Sequence, residues 1–335
     1  MTHRIRIAGA EHAFECADGE SILDSALRAG IEMPYSCRKG VCGNCAGGIV
    51  TGEVRCSPAA SGDATPAGQV LYCQCTPVSD LEIAPTAWSR VDPEARKRLV
   101  VKVFRNTRVA PDVNILVLRL PAGKRARFKA GQYLQVLLPD GSRRSYSMAN
   151  PPHESDTLQL HVRHLPGGLF TQTVPHLAPG DTLEVELPYG HFELREDSTA
   201  PMLCVAGGTG FAPIKSLIDD MARRRLPRSV TLVWGARERA GLYLPEAVER
   251  WRKALPDFRF IGALEDAADA LELGAFHGRA DAAIRAHFDT LSGWDVYACG
   301  APAMVSAVRA ACVDGLGLPA ASFFSDVFVP GPAAA

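Results

Sequence analysis

The stretch YSCRKGVCGNCAGG, Tyr35–Gly48, brings Cys37, Cys42 and Cys45 within nine residues and surrounds them with glycines, the residue that lets a backbone turn closely around bound atoms. Thiols at such density hold each other or hold metal, and the rest of the chain decides which. Its 335 residues include 10 cysteines, and the N-terminal MTHRIRIAGAEHAFEC lacks the apolar core of an export signal. A cytoplasmic protein is expected. Cytosolic thiols stay reduced, so disulfides are not expected and the cluster points to inorganic ligation. With 36 Lys+Arg against 37 Asp+Glu the formal net charge is -1, which gives no electrostatic reason to bind nucleic acid or an anionic membrane. No run of about 18 apolar residues is present to span a bilayer.

C-x4-C-x2-C is the spacing of plant-type 2Fe-2S sites, in which one more cysteine completes four thiolates around two irons. Cys56, Cys73 and Cys75 are the candidates. Gly40, Gly43, Gly47 and Gly48 let backbone N–H groups approach the sulfurs and tune the potential. A structural zinc usually repeats a separate C-x2-4-C knuckle, and in this stretch Cys42 and Cys45 form one C-x2-C pair while Cys37, at C-x4-C, shares Cys42 with it, so no second knuckle is present. Cys16, Cys204 and Cys312 read as small buried residues.

Seven of the ten cysteines precede Ser79, and strand-like DLEIAP closes that segment before a polar, Pro-containing stretch. Residues 1–86 are read as one small domain and 87–98 as a linker. From Leu99 come runs of period-two alternation, VNILVLRL, LQLHVRHL and TLEVELP, separated by the turn signals PAGKR, PDGS and LAPGD; residues 99–195 are expected to form an antiparallel barrel. Beyond Glu196 apolar strands alternate with helices, PMLCVA then PIKSLIDDMARRR, VTLVWG then PEAVERWRKAL. Residues 196–335 therefore read as an α/β domain with a parallel sheet, which takes a nucleotide at the carboxyl ends of its strands.

Two motifs suit cofactors on residue chemistry alone. In RSYS, Arg144 can clamp phosphate, Tyr146 can lie on an aromatic ring and Ser147 can hydrogen-bond a ring nitrogen, a set that fits a flavin nucleotide. Gly167 and Gly168 open a short helix whose free N–H groups suit an anion. In CVAGGTGFAPIKS, Gly207, Gly208 and Gly210 follow an apolar strand and open a helix, so their backbone can face a pyrophosphate. Pro213 stands where the dinucleotide GxGxxG pattern wants Gly or Ala.

PYSCRKGVCGNC and LYCQCTPVSDLEI resemble plant-type ferredoxins, a β-grasp fold whose last ligand stands four residues before a proline. Cys73 is four before Pro77, so the resemblance makes Cys73 the fourth ligand, with Cys75 as runner-up. RSYS followed by PGGLFT resembles the ferredoxin-NADP reductase family. That resemblance implies FAD, with Arg144 and Thr171 on the phosphates, Tyr146 against the flavin, Ser147 near its reactive N5, and Ser145, His161, Arg163, Gly167 and Gly168 among the contacts. It implies a pyridine nucleotide on Gly207, Gly208, Thr209 and Gly210. The same resemblance implies that Cys299 and Gly300 of CGAP lie beside the hydride-transfer point, and Asp326 and Phe328 of SFFSDVFVP near the flavin, where relatives more often carry Glu than Asp.

The order ferredoxin, FAD barrel, nucleotide domain is similar to that of the reductase components of Rieske ring-hydroxylating dioxygenases, through RSYSMANPPHESDTLQLHVRHLPGG, DPEARKR and WGARERAGLYLP. A nicotinamide gives two electrons at once and an iron-sulfur cluster takes one, so FAD belongs between them. The resemblance implies an NAD(P)H-dependent reductase feeding an oxygenase component in a transient complex, or another acceptor such as a diiron monooxygenase or a deoxysugar dehydrase. Arg237 and Arg239 follow strand VTLVWG and could hold a 2'-phosphate, which favours NADPH over NADH. Arg38 and Lys39 are expected to meet acidic groups of the partner.

Overall fold

The computed structural model describes residues 2–40, 42–57, 68–90 and 96–329. The chain divides into two compact units, Met1–Arg96 and Lys97–Ala335. In the first, a five-stranded sheet runs in spatial order Ala13–Ala17, Thr2–Ile7, Leu81–Pro85, Ala46–Thr51, Val70–Leu71. Thr2–Ile7 pairs antiparallel with Ala13–Ala17 but parallel with Leu81–Pro85. The alternation in THRIRI turns Ile5 and Ile7 inward. Against them lies helix Ile22–Arg28, started by Ser21, whose hydroxyl accepts the Asp24 N–H. Ile22, Leu23 and Ala26 complete a core with Phe14, Tyr72 and Ile83. Mixed sheet and crossing helix make a β-grasp.

Two short pairings extend this unit. Ser89–Arg90 pairs with Ile31–Glu32, so part of the expected linker 87–98 is strand; residues 91–95 of it lie outside the described residues. Val54–Cys56 pairs antiparallel with Cys75–Pro77, and Cys56 faces Cys75 in that register. Those two cysteines form a disulfide, which corrects the expectation that none would pair. Facing residues of an antiparallel pair bring their Cβ atoms to about 4.5–5.5 Å, within reach of a disulfide after slight adjustment, and an argument from compartment does not register such geometry.

The second unit begins with a six-stranded antiparallel sheet in the order Arg143–Ser147, Tyr133–Leu137, Thr182–Tyr189, Lys97–Ala110, Val113–Arg119, Thr157–Arg163. Its two edges meet through a bridge between Met148 and Leu160, which closes the barrel. A six-stranded parallel sheet follows, ordered Phe276–His277, Phe258–Leu264, Val230–Ala236, Met202–Gly207, Asp295–Gly300, Phe323–Val327. Strands buried along both faces, such as DVYACG, read as unbroken apolar runs for that reason. The strand Val113–Arg119 shows one departure from the expected single buried face. Leu116 and Leu118 fill the barrel, whereas Val113, Ile115 and Val117 pack with Phe211, Trp234 and Tyr243 of the α/β domain. The barrel and the parallel sheet thus share apolar surface and form one unit.

Candidate functional site

The first unit gathers Cys37, Cys42, Cys45 and Cys73 in twos. The Cys42 thiol is hydrogen-bonded to Cys37, which together with burial pushes it far above its usual range. The Cys45 thiol meets Cys73 and is pushed up in the same way. As the accepting partner, Cys73 is held down to about 7, with the Gln74 side chain and the Gly40 N–H also donating to it. The Lys39 N–H donates to Cys37 Sγ at 3.3 Å. Such donors stabilise thiolate sulfur, so the shell suits anionic ligands. Among the described residues no group of three or more His, Cys, Asp or Glu is placed to hold one metal ion. Two pairs of thiols match a centre of two irons with two thiolates each.

Backbone geometry explains the glycines here. Gly40 and Gly43 have φ of 76° each, which an L side chain rarely adopts. A Cβ on Gly47 would lie 2.3 Å from Tyr72 Oη, and that buried phenol donates to the Gly48 carbonyl at 2.8 Å. Arg38, itself in the left-handed region at φ 55°, is ion-paired with Asp24, so one of the two cations expected to face a partner already has one. Cys75 is fully buried in its disulfide.

In the barrel, RSYS occupies the edge strand Arg143–Ser147, beside Tyr133–Leu137. Arg144 Nη1 donates to the Arg143 carbonyl at 3.0 Å, Ser145 is exposed, and the Tyr146 ring lies 5.3 Å from that of Phe170. Ser147 is 5% exposed, and its Oγ finds no hydrogen-bond partner among the described residues. An orphaned buried hydroxyl is costly unless a bound group completes it, which fits a flavin. Helix Leu169–Thr173 starts at Gly168 without a side-chain cap. Thr171 Oγ1 donates to the carbonyls of Leu165 (3.2 Å) and Gly168 (3.3 Å), so its hydroxyl shapes the loop around Gly167.

His161 and Arg163 reach the other domain. His161 Nδ1 lies 2.9 Å from Tyr243 Oη, while its Nε2 is buried and has no partner among the described residues. Burial, then the nearby Lys215 charge, holds its pKa well below the usual value, so the ring is neutral. Arg163 pairs with Asp112 at 2.9 Å and lies against Gly208, where a Cβ would come within 2.5 Å of Nη1.

Gly207 and Gly300 end neighbouring strands on the two sides of the point where strand order reverses, the place for a nucleotide in such sheets. A Cβ on Gly300 would meet Gly207 Cα at 3.2 Å, and one on Gly210 would meet the Cys299 carbonyl oxygen at 2.2 Å. GGTG and CGAP therefore touch backbone to backbone. Thr209 lies in the turn Gly208–Gly210, and helix Phe211–Arg224 begins without a side-chain cap, leaving N–H groups for an anion. Cys299 sits opposite Asp326 in the parallel register. Burial, then the Asp326 charge, raises the thiol well above its usual value and keeps it protonated. The Phe328 N–H donates to the Gly300 carbonyl at 2.9 Å, so Cys299, Gly300, Asp326 and Phe328 do come together. Gly210→Ala should weaken NAD(P)H binding by roughly tenfold or more, because the backbone contact it forces apart is not a flexible side chain; isothermal titration of the purified protein checks this.

Arg237 and Arg239 follow the strand Val230–Ala236. Arg237 is exposed, whereas Arg239 pairs with Glu272 and donates its backbone N–H to Asp269 at 2.6 Å. Sequence reading missed Lys215, Ser216, Asp219, Tyr243 and Trp251. One signal was available: Lys215 stands four residues after Phe211, on the face of the helix that also carries Ile214 and Ile218.

A β-grasp unit with two thiol pairs, a flavin-type barrel and a nucleotide-type parallel sheet define an iron-sulfur flavoprotein reductase. The chain matches the 2Fe-2S iron-sulfur cluster binding domain over residues 5–78, the oxidoreductase FAD-binding domain over 92–194 and the oxidoreductase NAD-binding domain over 204–310. It is 54% and 53% identical to the reductase components 2 and 1 of terephthalate 1,2-dioxygenase from Comamonas sp, in each case over 99% of both chains. The crystal structure of the reductase GcoB from Amycolatopsis superposes with a TM-score of 0.75 and 32% identity, covering 98% of this chain and 99% of that one. The chain belongs to the family of NAD(P)H-dependent oxygenase reductase components that join a ferredoxin domain to FAD- and NAD-binding domains.

Proposed function

We propose that this chain passes electrons from NADPH to the oxygenase component of a terephthalate-type aromatic dioxygenase, in a transient cytoplasmic complex. The 2Fe-2S domain that joins the FAD- and NAD-binding domains in one chain carries the reading, because its Cys37, Cys42, Cys45 and Cys73 supply the four thiols of a one-electron carrier. When bound, the nicotinamide supplies a hydride, FAD accepts two electrons and releases them singly, and the 2Fe-2S cluster carries one. Cys37, Cys42, Cys45 and Cys73 hold the cluster. Arg144 and the loop from Gly167 to Thr171 hold the FAD phosphates, with Ser145 and Arg163 at the edge of that site. Tyr146 and Phe328 flank the flavin, while Ser147 and His161 offer it hydrogen bonds from buried atoms that lack other partners among the described residues. Gly207, Gly208, Thr209, Gly210 and Gly300 cradle the nucleotide, and Cys299 with Asp326 lines the place of hydride transfer.

The purified protein should show flavin and iron-sulfur absorption together and should bleach on addition of NADPH; a colourless protein overturns the reading. Preference for NADPH is assigned to Arg237, since Arg239 is already paired with Glu272. A charged hydrogen bond to a 2'-phosphate is worth about 1.5–3 kcal/mol, so Arg237→Ala should lower kcat/KM for NADPH by roughly tenfold or more and leave NADH nearly unchanged. A wild-type preference for NADH contradicts this assignment.

A further inference from the structure

The nucleotide domain grips the flavin barrel through a buried cation. Lys215 lies in the second turn of helix Phe211–Arg224 and is 6% exposed. Its Nζ donates to Asp219 Oδ2 at 2.8 Å and to the Ala149 carbonyl at 3.1 Å. The other Asp219 oxygen accepts from the indole N–H of buried Trp251 at 2.7 Å. Ser216, fully buried, donates to the Asn150 carbonyl at 2.8 Å. Ala149 and Asn150 directly follow the RSYS strand and Met148. The Asn150 side chain fastens that segment to the barrel, donating to the carbonyls of Glu154 (2.9 Å) and Thr157 (3.0 Å) and accepting from the Gln159 N–H (2.8 Å). One helix thus opens on GGTG and holds the end of RSYS.

Packing alone does not call for an ion pair here. Removing two charges from water costs several kcal/mol, and apolar residues of similar volume hold helices to barrels as well or better. An ammonium adds direction: its N–H donors fix the position of a carbonyl to hydrogen-bond tolerance, which a methyl group does not.

We propose that Lys215 is a positioning residue for hydride transfer, an inference that rests on the flavin and nucleotide assignments above: clamped by Asp219 and Trp251, it fixes the RSYS segment relative to the GGTG turn and so sets the spacing of the two cofactor rings. Misplacement of reacting groups by about 1 Å costs up to roughly a hundredfold in rate.

The test compares full-length wild type with Lys215→Met, which keeps length and loses the charge and its donors. At saturating NADPH, single-turnover reduction of the flavin should slow by roughly tenfold or more, and the long-wavelength charge-transfer absorbance between nicotinamide and flavin should fall with it. Dissociation constants for FAD, measured on the apoprotein, and for NADPH should stay within about threefold, a change smaller than one charged hydrogen bond. Flavin reduction at the wild-type rate overturns the proposal, and so does a slowing that more NADPH reverses. Ser216→Ala removes one hydroxyl and no charge, and covers the case in which Lys215→Met does not fold. It should slow reduction by about threefold, as loss of one neutral hydrogen bond does, with both dissociation constants unchanged; a wild-type rate there also overturns the proposal. If the wild type itself binds no FAD or is not bleached by NADPH, the cofactor assignment falls, and this proposal with it.

Discussion

Cys73→Ser should purify with its flavin but with little iron or sulfide, whereas Cys75→Ser should keep both near the wild-type ratio to flavin. Both residues precede Pro77, and being two apart along the chain they are not separated by strand periodicity. The structure separates them by partner. Cys73 is half-buried and meets Cys45, while Cys75 is buried in a disulfide with Cys56, across 19 residues of sequence. Serine at a ligand position offers a hard hydroxyl where iron-sulfur chemistry needs a soft thiolate. Serine at position 75 breaks a cross-link instead. Closing a loop of that length contributes about 3 kcal/mol in the chain-entropy account, so Cys75→Ser should melt at a lower temperature and still carry a cluster. Iron, sulfide and flavin assays together with a thermal melt distinguish the two effects. A full cluster in Cys73→Ser with an empty Cys75→Ser would reverse the assignment.

How far the sequence could be read depended on whether the determinant was local. RSYS, GGTG and the cysteine spacing act through backbone turns of a few residues, so their presence in the string already implied what they could hold. The barrel and the parallel sheet were legible for the same reason, through alternation in TLEVELP and through the unbroken apolar run in DVYACG. The pairing of thiols was not, because which two of four meet depends on how Cys73, far along the chain, returns to the Tyr35–Gly48 loop. Nor was the Cys56–Cys75 bridge, which follows from the register of two three-residue strands. Val113, Ile115 and Val117 look like a face for solvent or core until the α/β domain is placed against them. Lys215 was hidden differently: a lysine in an amphipathic helix is usually solvated, and its burial follows only from the contacts of that helix with the Ala149–Asn150 segment.

Cys42→Ser should separate two activities that the wild type performs together. Cys42 is half-buried, and its thiol bonds to Cys37; serine there leaves one iron of the proposed pair with a single thiolate from the protein. Even losing a supporting hydrogen bond to a metal ligand typically costs tenfold to roughly a hundredfold in affinity or activity, so loss of the ligand itself should cost at least that. Cytochrome c reduction, which takes one electron at a time, should therefore fall by about a hundredfold or more. Ferricyanide, a small acceptor that can take electrons from flavin, should be reduced at close to the wild-type rate. The change lies in the first compact unit, whereas the described residues of the barrel core and of the core shared with the nucleotide domain belong to the second. FAD content and NADPH affinity should accordingly be unaltered. Loss of both activities together, in a protein that still holds its full complement of FAD, would mean that the thiol cluster precedes the flavin in the electron path, and the order NAD(P)H, FAD, 2Fe-2S would have to be abandoned.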